Sequence, residues 1–359
     1  MTSAGGADGG RQAYDAGRNV SDAAGVAVLG ACAAWSLVTG AWQEGRPEGV
    51  LLAVLAVAAG YATGRICGAL LPVAAPCAGA LAGAALAVAA PGLAPGAQFT
   101  APLGHAGATA GVLTLSAGAA CCAAWAAPAP VLRLALRALA VAVAVTAAAL
   151  GSGAGLAGCV VVLLCSLAAG RIRRRGPAVA ALALVAAGVT GASWALAARM
   201  LPGGLADSLE GQLTAHRVAL WREALHLAHR DAGLGVGPGR FGEFSATAAQ
   251  SLQPDGKPHS ALWQQAAEQG LIGVALLAAA YAWVLYALWR TARPTPVALT
   301  AGAALTALAA IAAVGDALSF TEVSVGAGLL AGLATARPLA EEAGPAVAGA
   351  RPSRDRLTP

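Results

Sequence analysis

The sequence predicts an all-α polytopic membrane protein with about ten transmembrane helices and one large external loop. Three observations support this fold class. Of the 359 residues, 58% are hydrophobic and only 11% are charged. Long windows of Ala, Val, Leu and Gly exceed the roughly 20 residues that span a bilayer core. Between Glu48 and Asp207 the chain has no acidic residue, which argues against a proton pump.

Each predicted span ends at a charged residue, a glycine or a proline. Together the spans form a predicted transmembrane domain over residues 22–336. Residues 1–21 are rich in Gly, Ala and Asp and do not resemble a secretory signal. Pro, Gly and charge return over residues 337–359, so both ends are predicted to be disordered tails. The predicted spans lie near residues 22–41, 49–64, 67–90, 104–126, 131–150, 152–170, 177–197, 269–288, 296–314 and 317–336.

Basic residues fall in alternate connections between the spans, and the positive-inside rule assigns these connections to the cytoplasm. An even number of spans then predicts that both termini are cytoplasmic and that residues 197–268 form an external loop of a protein in the cytoplasmic membrane. The net charge of +5 is spread over these connections, which does not favour a nucleic-acid partner. The basic residues of these connections are Arg65, Arg133, Arg137, Arg171, Arg173, Arg174, Arg175, Arg290 and Arg293.

All seven cysteines fall inside predicted spans, without a Cys-x-x-Cys pair or a nearby histidine. Disulfides and structural zinc are therefore not expected, and we predict neither a metal nor another cofactor. His226 and His229 share one helix edge, whereas His216 does not, and no acidic ligand is fixed nearby. The cysteines are Cys32, Cys67, Cys77, Cys121, Cys122, Cys159 and Cys165.

The first part of the external loop, residues 216–230, alternates apolar and basic positions at helical spacing. This pattern predicts an amphipathic helix on or in the outer membrane surface, with Arg217 beside the indole of Trp221. Arginines that merely touch lipid phosphates would give the same pattern.

The middle of the loop has four glycines in seven residues, 233–239, with Pro238 among them. Glycines permit positive φ angles, so this segment is able to expose backbone N–H groups to an anion. It is not a P-loop, because the Gly-Lys-Ser/Thr ending is missing.

The last part runs from Lys257 to Gly273 and predicts a helix that begins at about His259. Nine residues separate His259 from Glu268, which places the two side chains about 13 Å apart along the axis and on opposite faces. A direct catalytic dyad is therefore not expected. Glu268 at the membrane edge is costly unless it is paired or hydrated, so it is a candidate for a functional role or a structural pair. Asp316 and Glu322, near the start of the last span, are candidates to pair with loop arginines.

The order of these elements resembles the O-antigen ligase and polysaccharide polymerase superfamily of membrane glycosyltransferases. The resemblance rests on Arg217 with Trp221, then Gly-Val-Gly-Pro-Gly-x-Phe, then His-x(8)-Glu-x-Gly-Leu-Ile-Gly. It implies a GT-C-like, metal-independent enzyme that transfers a glycan from a polyprenyl-diphosphate lipid to an acceptor hydroxyl. The acceptor would be a glycan, a lipid or a protein, and ligase and polymerase activities stay open.

The resemblance implies that Arg217 binds the donor diphosphate and that His259 helps to activate the acceptor. A guanidinium suits a diphosphate because it offers planar bidentate hydrogen bonds, and a histidine is able to accept a hydroxyl proton near neutrality. An interfacial helix-cap histidine is the alternative reading of His259 taken alone. Trp221 and Glu268 complete the expected substrate site.

Two positions depart from the family pattern. Many members carry Ser-Arg-Gly before the basic inner loop, and here the corresponding stretch is Gly151–Gly155, without an arginine. Arg222, Arg240 or Lys257 are candidates to supply the missing positive charge. The frequent His-Asn pair is His259-Ser260, and serine is still able to cap a helix.

A transporter or flippase is the competing class, but the sequence has neither an internal repeat nor buried mid-span carboxylates. A catalytically inactive member of the same fold is the third possibility.

Overall fold

The computed structural model describes residues 5–89, 106–200, 215–249 and 256–337. Within these ranges every regular element is a helix. The elements are α1 (Gly5–Trp42), α2 (Glu48–Leu70), α3 (Ala74–Ala89), α4 (Ala106–Ala126), α5 (Pro130–Ala149), α6 (Gly153–Ala169), α7 (Arg175–Ala197), α8 (Ala215–Arg230), α9 (Phe241–Phe244), α10 (Ala246–Ala249), α11 (Ala261–Arg290), α12 (Thr295–Val314), a 3-10 turn (Ala317–Ser319) and α13 (Thr321–Thr335).

Among the described residues, seven helices are long and apolar enough to cross a membrane. Helices α3, α6 and α13 are apolar but shorter, and together these ten helices follow the order of the ten predicted spans. The predicted boundary between the second and third spans is wrong, because α2 continues to Leu70 and α3 begins at Ala74. The all-helical, multi-span class is therefore confirmed, whereas the total of ten spans stays a prediction. The seven long candidates are α1 from Val20, α2, α4 from Gly107, α5, α7, α11 and α12.

Helix α1 begins at Gly5 and so extends into the segment predicted as a disordered tail. Once a helix is nucleated, each added residue gains a backbone hydrogen bond at little further cost, so the apolar span is able to propagate backwards. The predictions for residues 1–4 and 338–359 lie outside the described residues.

Helix α4 forms the centre of the bundle. Its apolar span is completely buried, and it packs against α3, α5, α6, α12 and α13. Its small side chains, mostly Ala, Gly, Ser and Thr, let the neighbouring helices approach closely. Cys121 and Cys122 lie in this buried core as thiols, in line with their expected role as small apolar residues.

The bundle has two chemically different ends. At one end, which we call the arginine end, Arg293 donates hydrogen bonds to the carbonyls of Gly68 and Ala336, each at 2.7 Å. There Arg175 donates to the carbonyls of Thr291 and Arg293 at 2.6 and 2.7 Å. Arg293 thus satisfies carbonyls at the ends of α2 and α13 that have no helical donor, and Arg175 satisfies carbonyls of the connection between α11 and α12.

The opposite end, which we call the loop end, carries the connection between α1 and α2 together with the long loop between α7 and α11. The two segments are joined where Arg46 N donates to Pro238 O at 2.7 Å. The described contacts thus place arginine-capped connections at one end of the bundle and these loop segments at the other.

Helices α2 and α13 run parallel and pack through glycines. A Cβ atom on Gly64 would lie inside van der Waals distance of Leu329 O, and one on Gly332 would do the same at Tyr61 O. Gly60 and Gly328 make equivalent approaches. The pair therefore uses the small-xxx-small packing that transmembrane helices favour.

We expect Gly64→Ala to lower the free energy of unfolding by about 1–3 kcal/mol, because the new methyl group forces the two backbones apart. Gly49→Ala in the same helix is the control, since a Cβ there meets open space. Thermal unfolding of the detergent-solubilised protein, followed by helical circular dichroism, compares the two variants. An equal effect of both would show that close packing at Gly64 is not what holds α2 to α13.

Candidate active site

Helix α8 is present where the amphipathic pattern predicted it, but its apolar side packs on protein and not on lipid. Val218, Leu220, Trp221 and Ala224 are fully buried in a cluster with side chains of α7, α9 and α11. The expectation that this helix lies on the membrane surface is corrected in this respect. The large aromatic and aliphatic side chains gain more by burial against each other than by contact with an interface.

Arg217 and Ser260 both bind the end of α12. Arg217, which is 4% exposed, donates through Nη1 to Val314 O at 3.1 Å. Ser260 Oγ donates to Ala313 O at 2.7 Å and accepts from Trp263 N at 3.4 Å, which makes Ser260 the N-cap of α11. The helix that was predicted to begin at about His259 thus begins at Ala261, with the serine cap that the sequence suggested.

Trp221 fixes the segment that precedes the cap. Its indole Nε1 donates to Pro258 O at 3.1 Å, and its ring stacks on Trp263 at a centroid distance of 6.5 Å. His259, between Pro258 and Ser260, has a φ of 51°. A left-handed conformation is costly for a residue other than glycine and persists only where the surroundings hold it. Trp221 and Ser260 supply that restraint from both sides.

Asp316, for which the sequence predicted pairing with loop arginines, lies near Arg217 and His259 in the folded protein. It lies in the turn between α12 and α13 and is 8% exposed. His259, Arg217 and Lys257 interact electrostatically with its carboxyl group. Burial raises the pKa of Asp316 above its usual range, while the three basic groups act in the opposite direction. Among the described residues none donates a hydrogen bond to Oδ1 of Asp316.

We call Arg217, Lys257, His259 and Asp316 the charged cluster. Its members come from α8, from the segment before α11 and from the turn after α12. Gly107 at the start of α4 closes one side, since a Cβ there would lie 2.9 Å from Oδ1 of Asp316. The cluster is therefore assembled by tertiary contacts at the loop end of the bundle.

Glu268 lies in a different environment. It is 3% exposed, accepts a hydrogen bond from Gln264 Nε2 at 3.3 Å, and is approached by the backbone amides of Gly239 and Phe241. Lys257 acts on both Glu268 and Asp316. Lys257 therefore links Glu268 electrostatically to the charged cluster, and the absence of a dyad between His259 and Glu268 stays a prediction.

The two other candidate arginines differ in their surroundings. Arg240 donates to Glu243 at 2.8 Å, binds the carbonyl of Gln43 and lies over the Phe244 ring at 5.0 Å. Arg222 is partly buried beside Trp221 on α8. The contacts of Arg240 join the loop to the end of α1.

The glycine-rich segment, residues 233–239, supports a break in α11. Gly270 has φ 67° and ψ −165° inside that helix, so carbonyls before the break lose their helical donors. Val236 N donates to Ala267 O at 2.9 Å and Gly237 N to Glu268 O at 3.0 Å. These N–H groups, which the sequence suggested for anion binding, are therefore used inside the protein.

Within the described part of the chain no three His, Cys, Asp or Glu side chains are grouped so as to hold a metal ion. The charged cluster offers one carboxylate and one imidazole beside two cations, a set that suits an anionic ligand better than a metal. Metal independence stays a prediction.

The fold and the site define a multi-pass membrane protein with a cationic cluster at one end of its helix bundle. A family model described as O-Antigen ligase matches residues 103–278, a range that contains Arg217, His259 and Glu268. The resemblance predicted from the sequence is confirmed by this match, which indicates a glycosyltransferase-like activity. No curated protein and no solved structure matches the chain.

We expect Gly235→Ala to destabilise the loop, because φ is 68° there and the new Cβ would lie 2.6 Å from Ala267 O. Gly233→Ala is the matched control, since its Cβ would meet only Asp231 Oδ1 at 3.7 Å. The loss of unfolding free energy should be about 1–3 kcal/mol for Gly235→Ala and well under 1 kcal/mol for the control. Tryptophan fluorescence on heating measures the unfolding midpoints of the two variants. Equal midpoints would contradict the role assigned to the glycine segment.

Proposed function

We propose that the protein transfers a glycan from a polyprenyl-diphosphate lipid to an acceptor hydroxyl at the outer face of the cytoplasmic membrane. The observation that carries this proposal is the charged cluster, in which a buried arginine and a histidine in a held left-handed conformation share one site with Asp316 and Lys257. The match to the O-antigen ligase family model supports the reaction class. The acceptor is a glycan, a lipid or a protein that offers a hydroxyl group.

Arg217 is proposed to bind the diphosphate of the donor. When the acceptor oxygen attacks the anomeric carbon, the bond from that carbon to the diphosphate oxygen breaks, and the leaving diphosphate takes the electron pair. The guanidinium of Arg217 is buried, with 4% exposure, and is held in place by its hydrogen bond to the end of α12. It therefore stabilises the growing negative charge without having to reorganise.

His259 is proposed to accept the proton of the attacking hydroxyl, since an imidazole is the side chain best matched to proton transfer near neutral pH. Asp316 is proposed to position His259 and to stabilise the imidazolium that forms, because its carboxylate is buried within electrostatic reach of that ring. Trp221 takes part by holding Pro258, the residue before His259.

Lys257 is the best candidate to replace the missing arginine of the Ser-Arg-Gly sequence. In that stretch Ser152 caps α6 by accepting from Gly155 N at 3.2 Å, and no cation is supplied. The charge of Lys257 reaches Asp316, whereas Arg240 is paired with Glu243. Arg222 stays a further proposed substrate contact because it adjoins Trp221 on α8.

The arginine end is proposed to face the cytoplasm and the loop end the outside. Basic residues cluster beside the arginine-end connections, as the positive-inside rule requires of a cytoplasmic face. Both termini are then cytoplasmic, and the charged cluster meets lipid-linked glycans at the outer leaflet.

An inactive member of the same fold is the second candidate, and the absence of an arginine at Gly151–Gly155 is the observation that favours it. A transporter has no comparable support in the described structure, where the charged cluster lies at the end of the bundle and not at its middle.

We expect Arg217→Ala to slow release of polyprenyl diphosphate from lipid-linked glycan by about 10²- to 10³-fold, and His259→Ala by about 10²- to 10⁴-fold. The assay uses the purified full-length protein and the lipid-linked glycans of its own host. Arg230→Ala and His229→Ala are the matched controls, because both residues are exposed at the end of α8. Release by the wild type that is indifferent to Arg217→Ala and His259→Ala would overturn the proposal, and no release would favour the inactive member.

We expect Asp316→Asn to slow the same release by about tenfold, which is less than the roughly 10²- to 10⁴-fold contributed by proton transfer itself. The thermal stability of the protein should not decrease. A carboxyl whose pKa is raised by burial costs stability once the pH is above its ordinary pKa, because the folded state disfavours the ionised form. The neutral asparagine removes that cost, so its melting temperature at pH 8 should equal or exceed that of the wild type. A parallel loss of stability and activity would reduce Asp316 to a structural residue.

A further inference from the structure

The arginine end carries a charged surface that the proposed chemistry does not use. Arg171, Arg173 and Arg174, in the connection between α6 and α7, are exposed, and so is Arg290, the last residue of α11. We call these four residues the basic patch. Among the described side chains, no acidic group forms an ion pair with any of them.

The two segments that supply the basic patch are held side by side. Arg175 donates from the start of α7 to the carbonyls of Thr291 and Arg293 at 2.6 and 2.7 Å. A Cβ atom on Gly176 would lie 3.7 Å from Nε1 of Trp289, the residue before the end of α11. The start of α7 and the end of α11 are therefore in contact. The basic patch is one surface that is already assembled before a ligand binds.

An exposed aromatic pair lies beside the basic patch. Trp289 is 46% exposed, and its ring centroid lies 6.0 Å from that of Tyr286 and 5.9 Å from Cζ of Arg290. Tryptophan and tyrosine beside basic residues are typical of the level at which lipid headgroups meet the hydrocarbon core. Further along α7, Leu184 and Val185 are exposed and offer apolar surface to acyl chains.

The charge balance at the arginine end favours an anionic ligand. The sequence has no acidic residue between Glu48 and Asp207, so the connection between α6 and α7 has no acidic neighbour along the chain. Of the side chains that the structure describes, Asp22 is the acidic group at this end, and it is bound to Arg65 at 2.9 Å. Guanidinium groups form strong, charge-assisted hydrogen bonds with a phosphate. The adjoining aromatic and apolar surface suits a phosphate that carries acyl chains and not a nucleic acid.

We propose that the basic patch binds the phosphate of an anionic membrane phospholipid. The indole N–H of Trp289 donates to the same phosphate, and the acyl chains lie along the exposed apolar side of α7. This inference goes beyond the proposed function and does not rest on it, because no member of the charged cluster takes part. A bound lipid of this kind holds the arginine end at the level of the headgroups.

Native mass spectrometry of the full-length protein, titrated with phosphatidylglycerol or with phosphatidylcholine of the same acyl chains, tests the proposal. We expect the first bound phosphatidylglycerol to have an affinity about tenfold or more higher than that of phosphatidylcholine. Arg290→Gln should weaken phosphatidylglycerol binding by about fivefold, because it removes one of the arginines near the headgroup. Equal affinities of the wild type for the two lipids overturn the proposal.

Arg230→Gln is the matched control for Arg290→Gln. Arg230 is also exposed and is also the last residue of its helix, but that helix, α8, belongs to the loop end. Its charge lies across the bundle from the basic patch, so phosphatidylglycerol binding should stay within about twofold of the wild type. An equal effect of the two substitutions would show that net charge and not the basic patch attracts the lipid, which overturns the proposal.

Trp289→Phe tests the indole separately from the charge. It keeps an aromatic ring but removes the N–H donor, so phosphatidylglycerol binding should weaken by about threefold. Trp194→Phe is the matched control, because Trp194 lies near the other end of α7 and has the same exposure of 46%. Binding that is the same in the two variants overturns the placement of the phosphate at Trp289.

Two further measurements identify where the phosphate comes from. Inorganic phosphate at the concentration of the lipid should not displace phosphatidylglycerol, because it has no acyl chains to cover α7. Displacement would make the basic patch a site for a soluble anion and overturn the lipid assignment. Arg217→Ala should bind phosphatidylglycerol as the wild type does, whereas a loss of binding would place the lipid at the charged cluster and overturn the proposal.

Discussion

The site depends on how the end of α12 is capped. A helix ends with carbonyl groups that have no helical donor, and leaving them unpaired in a buried place is costly. Here the carbonyls of Ala313 and Val314 accept hydrogen bonds from Ser260 and Arg217. One constraint thereby brings α8, the start of α11 and the turn at Asp316 to one point. Arg217, which is proposed to bind the diphosphate, is thus also one of the residues that hold the bundle and the loop together.

The break in α11 is the second determinant of the site. With an unbroken helix the carbonyls of Ala267 and Glu268 would be used along the axis, and the glycine-rich segment would have no acceptors to bind. The positive φ of Gly270 frees them, and Val236 and Gly237 take them up. Helix α11 therefore has a loop-side part that carries Gln264 and Glu268, and a longer apolar part that crosses the bundle. This division places a buried carboxylate at the edge of the membrane domain, where isolated charge is costly.

The sequence predicted the helical class and, through its motif order, the importance of Arg217 and His259. It left Asp316 open, because that residue lies far along the chain from the motif and meets the others only through the turn after α12. Spacing does not reveal such a contact. The glycines correctly indicated left-handed backbone, but their N–H groups bind α11 and not an anion, a role that depends on a helix break invisible in the pattern. The apolar stripe of α8 was visible, whereas its covering by Trp263 and Phe241 required the fold.

Binding of polyprenyl diphosphate, the released product, to the protein in nanodiscs tests the division of roles between Arg217 and His259 most directly. If Arg217 binds the diphosphate and His259 moves the proton, Arg217→Ala should weaken binding by about tenfold or more, whereas His259→Ala should bind within about twofold of the wild type and still fail in turnover. Equal weakening by both substitutions, or unchanged binding by Arg217→Ala, would contradict the account.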